Sequence, residues 1–264
     1  MSAEPELTGR QVHGGRLLLA RVLAAVSAVG WAVLFFGLVD LMVVPIQDDR
    51  FYDAYLLETG WGLLFTVLVA TPLLVVVVRP DSLVALRQLI VAAAAVAAAA
   101  VFTPQWWQLA PAAVLLVTAV LLADLSGQRL RPGRRSASRV GLLLGSLVLG
   151  AAVGAVVYAA SMIRSSRAGL PDDVTWGLDH LPVQAALGLA LAGSAALAAC
   201  SEGPGRRVVG WTAGVSAVWL GGVSVVYPDH LGSLGQPGGL AAIVWGLVYA
   251  ACIRRTGRAT QIGL

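Results

Sequence analysis

Gly127–Arg139 reads GQRLRPGRRSASR, and Val140–Ile163, directly after it, reads VGLLLGSLVLGAAVGAVVYAASMI. The first stretch holds five arginines and no acid; the second runs 24 residues without a charge. A membrane helix needs about 20 mostly apolar residues. A short arginine-rich loop against such a run is the junction that the positive-inside rule assigns to the cytoplasmic face. Read outward from this junction, the whole chain repeats the pattern.

Seven further apolar runs are candidate spans: Leu17–Ile46, Trp61–Val78, Val84–Phe102, Trp107–Ala123, Leu181–Cys200, Val208–Tyr227 and the short Gly239–Ile253. Leu17–Ile46 is overlong. Trp61–Val78 contains Thr71-Pro72, which predicts a kink. The alanine-rich Val84–Phe102 gains little from lipid contact and is expected inside the bundle. With eight spans and a cytoplasmic start, 15 of the 18 arginines fall inside, leaving Arg50, Arg164 and Arg167 outside. The acids lean the other way: Asp40, Asp48, Asp49, Asp53, Glu58, Asp172, Asp173, Asp179 and Asp229 belong to the outer side. The fold expected is therefore all-α, a polytopic transmembrane helical bundle of about eight spans with both termini cytoplasmic. Residues 1–16 form a short tail, 17–253 the bundle and 254–264 a second tail.

Composition agrees. The chain is 58% hydrophobic and 12% charged, with a mean hydropathy of +0.81; soluble domains carry roughly 25% charged residues. All 18 basic residues are arginine, and neither lysine nor asparagine occurs. With the Ala, Val, Leu and Gly usage, this reads as a GC-rich bacterial genome, and the localisation expected is the bacterial plasma membrane. Cys200 and Cys252 end apolar runs on the reducing side, so no structural disulfide is expected.

No lysine means no phosphate-binding Gly-x-x-x-x-Gly-Lys loop, and no His-Glu-x-x-His, Gly-x-Ser-x-Gly or Cys-x-x-Cys-His is present. No cofactor or metal centre is predicted, nor any nucleic-acid partner. The lipid bilayer is the one certain partner. Arg129 to Arg139 either bind anionic headgroups or serve only to set topology; a protein partner is not identifiable.

Two stretches stand out. Asp179-His180-Leu181 and Asp229-His230-Leu231 each precede an apolar run on the outer side. One reading makes the aspartates helix caps. The other gathers His180, His230, Asp179, Asp229, Trp176 and Gln184, one turn below His180, into an outward pocket for a small ligand or partner. Similar outward ends, Val156-Val157-Tyr158 and Val225-Val226-Tyr227, raise a possible repeat, with residues 140–200 and 208–253 as related hairpins. Asp40, in an apolar run, either faces the bundle interior as part of a pathway or rides out to the headgroups. Gly141-x-x-x-Gly145 and Gly150-x-x-x-Gly154 predict a close helix–helix contact. The function expected is that of a non-enzymatic membrane component with an outward pocket. A secondary transporter of a small solute and a membrane-embedded enzyme using the outer His/Asp set are the alternatives.

Overall fold

The computed structural model describes residues 4–43, 55–130, 141–169 and 178–256, with the side chains of 4–13, 43 and 256 outside that description. Among these residues every regular element is a helix. The helices are α1 (Glu4–Val29, continued by a π-helical turn, Gly30–Leu34), α2 (Gly37–Val43), α3 (Tyr55–Val78), α4 (Leu83–Phe102) and α5 (Leu109–Leu125, begun by a 3-10 turn at Trp106–Gln108). They continue with α6 (Leu142–Arg167), α7 (Leu181–Cys200), α8 (Arg206–Val226) and α9 (Gly235–Thr256). All but α2 contain a stretch long and apolar enough to cross a bilayer, eight in total. The chain is a multi-pass, all-α membrane bundle.

Side-chain bonds across the bundle agree with eight alternating crossings. Arg16, where the spanning part of α1 begins, donates to the carbonyl and carboxylate of Asp124 at the end of α5, at 2.7 and 3.1 Å. Ser82 Oγ, before α4, donates to Pro204 O, before α8. At the opposite face Arg167, ending α6, donates to Phe102 O, ending α4, and Gln105 Nε2 donates to Asp179, which precedes α7. Each bond joins ends that alternation puts on one side. The first two lie on the arginine-rich face and the last two on the acidic face, taken below as inner and outer.

The most buried span, α7, is the central post and packs against α3, α4, α6 and α8. Its run Ala185-Ala186-Leu187-Gly188-Leu189-Ala190 is mostly small, so neighbours approach closely on several sides. The alanine-rich α4 is likewise largely inside, whereas α1, α6 and α9 are peripheral.

Three boundaries differ from the sequence reading. Helix α1 starts at Glu4 and its spanning part stops at Leu34, so Ile46 is not in the same helix. The chain turns at Phe36, a non-glycine residue at φ 60°, and restarts as α2. Helix α3 begins at Tyr55, one and a half turns before Trp61, which brings Glu58 into it. The expected disturbance at Pro72 is present but spread upstream, as a π-helical stretch from Leu63 to Ala70. Proline lacks an N–H and crowds the carbonyl four residues back. The wider π turn relieves this, and Thr66 O accepts from both the backbone N–H and Oγ1 of Thr71.

Three of the four glycines singled out for packing, Gly141, Gly150 and Gly154, face open space. A Cβ at Gly141, Gly150 or Gly154 would have nothing within 4 Å. Helix α6 instead packs through Ala155, Tyr158, Ala159 and Met162. Close glycine packing is found between α8 and α9. A Cβ on Gly246 would lie 2.5 Å from Gly214 O, and one on Gly214 2.9 Å from Gly246 O. Gly221 and Gly239 repeat the relation at 2.5 and 2.7 Å. Both helices space these glycines seven residues apart, so each pair meets on one seam.

Candidate functional site

The outer end holds two neighbouring arrangements. The first is aromatic. Phe35, where α1 ends, stacks on Trp61 of α3 at 5.1 Å and meets Phe65 edge-on at 4.7 Å. Trp31 stacks on Phe65 at 5.3 Å. Trp61 Nε1 donates to Phe35 O at 2.8 Å, which ties the broken end of α1 to α3. Beside this cluster a cavity of about 360 Å³ is lined by Leu34, Phe35, Phe36, Trp61, Trp107 and Leu178. Its walls come from the turn after α1, the first turns of α3 and α5, and the segment before α7. Phe36, the left-handed residue, is one of them. That conformation is costly for a bulky side chain and is found mostly where surrounding structure imposes it.

A carboxyl pair lies next to the rings. Asp40 of α2 lies beside Glu58 of α3, and Glu58 is 3% exposed. Close packing of α2 on α3 brings them together: a Cβ at Gly62 would lie 2.7 Å from Gly37 O, and one at Gly37 2.7 Å from Thr66 Oγ1. Asp40 is partly buried. Its backbone N–H donates to Phe36 O, and Glu58 is one turn from Trp61, so each carboxyl residue stands one turn from a ring of the cavity.

The second arrangement contains the residues singled out in the sequence. Asp179 Oδ1 accepts from the Leu181 N–H at 3.0 Å, while Oδ2 accepts from Ser166 Oγ at 2.5 Å and Gln105 Nε2 at 3.4 Å. It therefore accepts one backbone N–H at the start of α7, whose N-cap residue is His180, and ties that helix to α6 and the α4–α5 loop. His180 is 3% exposed and packs edge-on against Trp61 at 5.4 Å. Gln184 is fully buried. Its Nε2 donates to Leu56 O and Leu57 O at 2.7 and 3.0 Å, which leaves Oε1 facing the Tyr158 hydroxyl at 2.9 Å. Tyr158 also donates to Gly232 O at 2.8 Å. One hydroxyl hydrogen serves two acceptors. Gly232 sits at φ 88°, with Leu57 3.1 Å from where a Cβ would be, so glycine alone fits this turn.

His230 packs edge-on against Tyr227 at 4.9 Å, and Tyr227 lies 5.0 Å from Tyr55. The two histidines thus belong to different aromatic contacts, linked through Gly232, Tyr158 and Gln184. Asp229 is exposed. Trp176 and the stretch 131–140 of the basic loop lie outside the described residues. Cys200 and Cys252 are free thiols.

Sequence reasoning passed over Glu58, placed outside the second span, and Tyr158, read only as part of the outward end Val156-Val157-Tyr158. It also passed over a polar contact within the bundle, where Gln88 Nε2 of α4 donates to Thr212 Oγ1 of α8 at 3.0 Å. Gln88 in an alanine-rich run was the available signal. Among the described residues, no three His, Cys, Asp or Glu side chains converge as a metal site would require. Comparison with known proteins matches no family model, no curated relative and no solved structure.

Proposed function

We propose that the protein is a non-enzymatic component of the bacterial plasma membrane that binds a small, largely apolar ligand in its outer aromatic cavity. One observation carries the reading: the cavity of about 360 Å³ lined, among the described residues, by Leu34, Phe35, Phe36, Trp61, Trp107 and Leu178. Small-molecule sites are concave, mostly apolar and aromatic, with few polar groups. His180 supports the wall from behind through Trp61, so this pocket adjoins the histidine first picked out in the sequence. The inner-half contact of Gln88 with Thr212 favours the transporter alternative, because polar groups inside a bundle mark solute paths.

The test uses a neutral aryl diazirine with the protein in lipid vesicles. Labelling of Phe35, Phe36 and Trp107 should saturate and be displaced by excess unlabelled compound. Labelling of the lipid-facing Leu149 and Val153 of α6 should rise in proportion to concentration. Proportional labelling at both places would remove the pocket.

A further inference from the structure

We infer that the outer cavity is a side pocket of the outer leaflet, entered between α1 and α5 and filled by the acyl chain of a membrane phospholipid. The inference rests on the proposed pocket and names the class of its ligand. Exposure around the wall shows where the mouth lies. Leu34, Phe36 and Trp107 are exposed, at 78%, 49% and 36%, whereas Phe35 and Leu178 are half-buried and Trp61 is 5% exposed. Trp61 is therefore the floor, and the mouth is bounded by the end of α1 and the first turn of α5. The same two helices are joined at their inner ends through Arg16 and Asp124, which confines the opening to the outer half.

The mouth is continuous with the lipid-contacting surface. Leu34 ends the first membrane-crossing stretch and Trp106 begins the fourth; Val33, Trp106 and Leu109, flanking the wall residues, are exposed as well. The floor lies within reach of a chain. Trp61 is six residues into α3, about 9 Å below its outer end, and the 24-residue stretch Tyr55–Val78 is about 36 Å long. A hydrocarbon core of about 30 Å then begins above Trp61. Within the cavity, Trp61 Nε1 is committed to Phe35 O and Trp107 Nε1 to Gln105 Oε1. The described lining offers carbon surface and no donor, and apolar cavities stay dry and take apolar occupants. Nothing in it reads a headgroup, so the chain comes from the bulk phospholipid of the leaflet and its polar end stays at the membrane surface.

Photolysis in vesicles containing a phosphatidylcholine with a diazirine midway along one acyl chain tests this. Phe35 and Trp61 should be labelled, and excess of the unlabelled neutral aryl compound should cut that labelling about fivefold. Labelling of Val156 and Val157, exposed on the outer half of α6, should not change. Leu34→Trp narrows the mouth at an exposed position, and should lower lipid labelling of Phe35 and Trp61 about fivefold with Val156 and Val157 as before. Lipid labelling of Phe35 and Trp61 that is absent, that resists the competitor, or that is the same in Leu34→Trp would overturn the inference. So would labelling there by a water-soluble diazirine fatty acid and not by the phospholipid. In each case saturable labelling by the neutral aryl diazirine would still stand for the pocket. Loss of that labelling as well would overturn the pocket itself.

Discussion

Replacing Gly246 by leucine is expected to cost about 3 kcal/mol or more of stability, the upper end of overpacking effects. The side chain would begin 2.5 Å from the backbone carbonyl of Gly214, with Val218 and Ala217 at 2.9 and 3.2 Å. A backbone oxygen cannot rotate away as a side chain can. Helices α8 and α9 would therefore separate along the seam shared with Gly221 and Gly239. Gly154→Leu is the control. Its Cβ meets open space, and leucine is the better helix former, so stability should hold within about 0.5 kcal/mol. Denaturant unfolding of the two variants in one detergent gives the comparison. Equal losses would mean that α6 carries a second tight interface.

The next largest effect is expected at Gln184. Changing it to leucine removes both donors to Leu56 O and Leu57 O and one acceptor of the Tyr158 hydroxyl, all in a fully buried setting. An unmet buried polar group costs about 1–3 kcal/mol. Tyr158 keeps Gly232 O, so the expected total is about 2–4 kcal/mol. Gln184→Glu should be worse, since a carboxylate would face two carbonyl oxygens. Gly60 bears on the same contact. A Cβ there would fall within 2.3 Å of the Gln184 carboxamide, so Gly60→Ala should reproduce much of the Gln184→Leu loss. Thermal unfolding measures all three, and a Gln184→Leu protein as stable as the parent would show that this knot does not hold the outer ends together.

What was legible in the sequence follows from what lipid imposes. Span number comes from apolar length, which needs no tertiary detail, while the expected sidedness rests on arginine placement alone. The break at Phe36 was hidden because Leu34-Phe35-Phe36-Gly37-Leu38 is apolar on both sides of the turn. Glu58 looked like a loop residue because hydropathy places a span boundary where charge ends. A helix whose outer turn is buried by α2 and α7 can carry a carboxyl further in. Glycine spacing in α6 and α8 is alike, with Gly210-x-x-x-Gly214 matching Gly150-x-x-x-Gly154. Periodicity shows that a face is narrow, not which neighbour fills it. That Asp179 would accept an N–H at the start of α7 was readable from Asp-His-Leu before a helix, though the N-cap itself is His180. The contact of His180 with Trp61 was not, because it depends on how deep α3 sits beside α7.

The central claim is that the aromatic cavity opens to the outside. Labelling with a membrane-impermeant maleimide in intact cells tests it most directly. Two versions of the chain serve, one with Cys200 and Cys252 replaced by serine and Asp229→Cys added, the other keeping Cys200 alone. Asp229 and Cys200 are both exposed, at opposite ends of the bundle. Labelling at position 229 should be complete before the membrane is opened, and labelling of Cys200 should need permeabilisation. The reverse pattern would turn the cavity toward the cytoplasm and contradict the account.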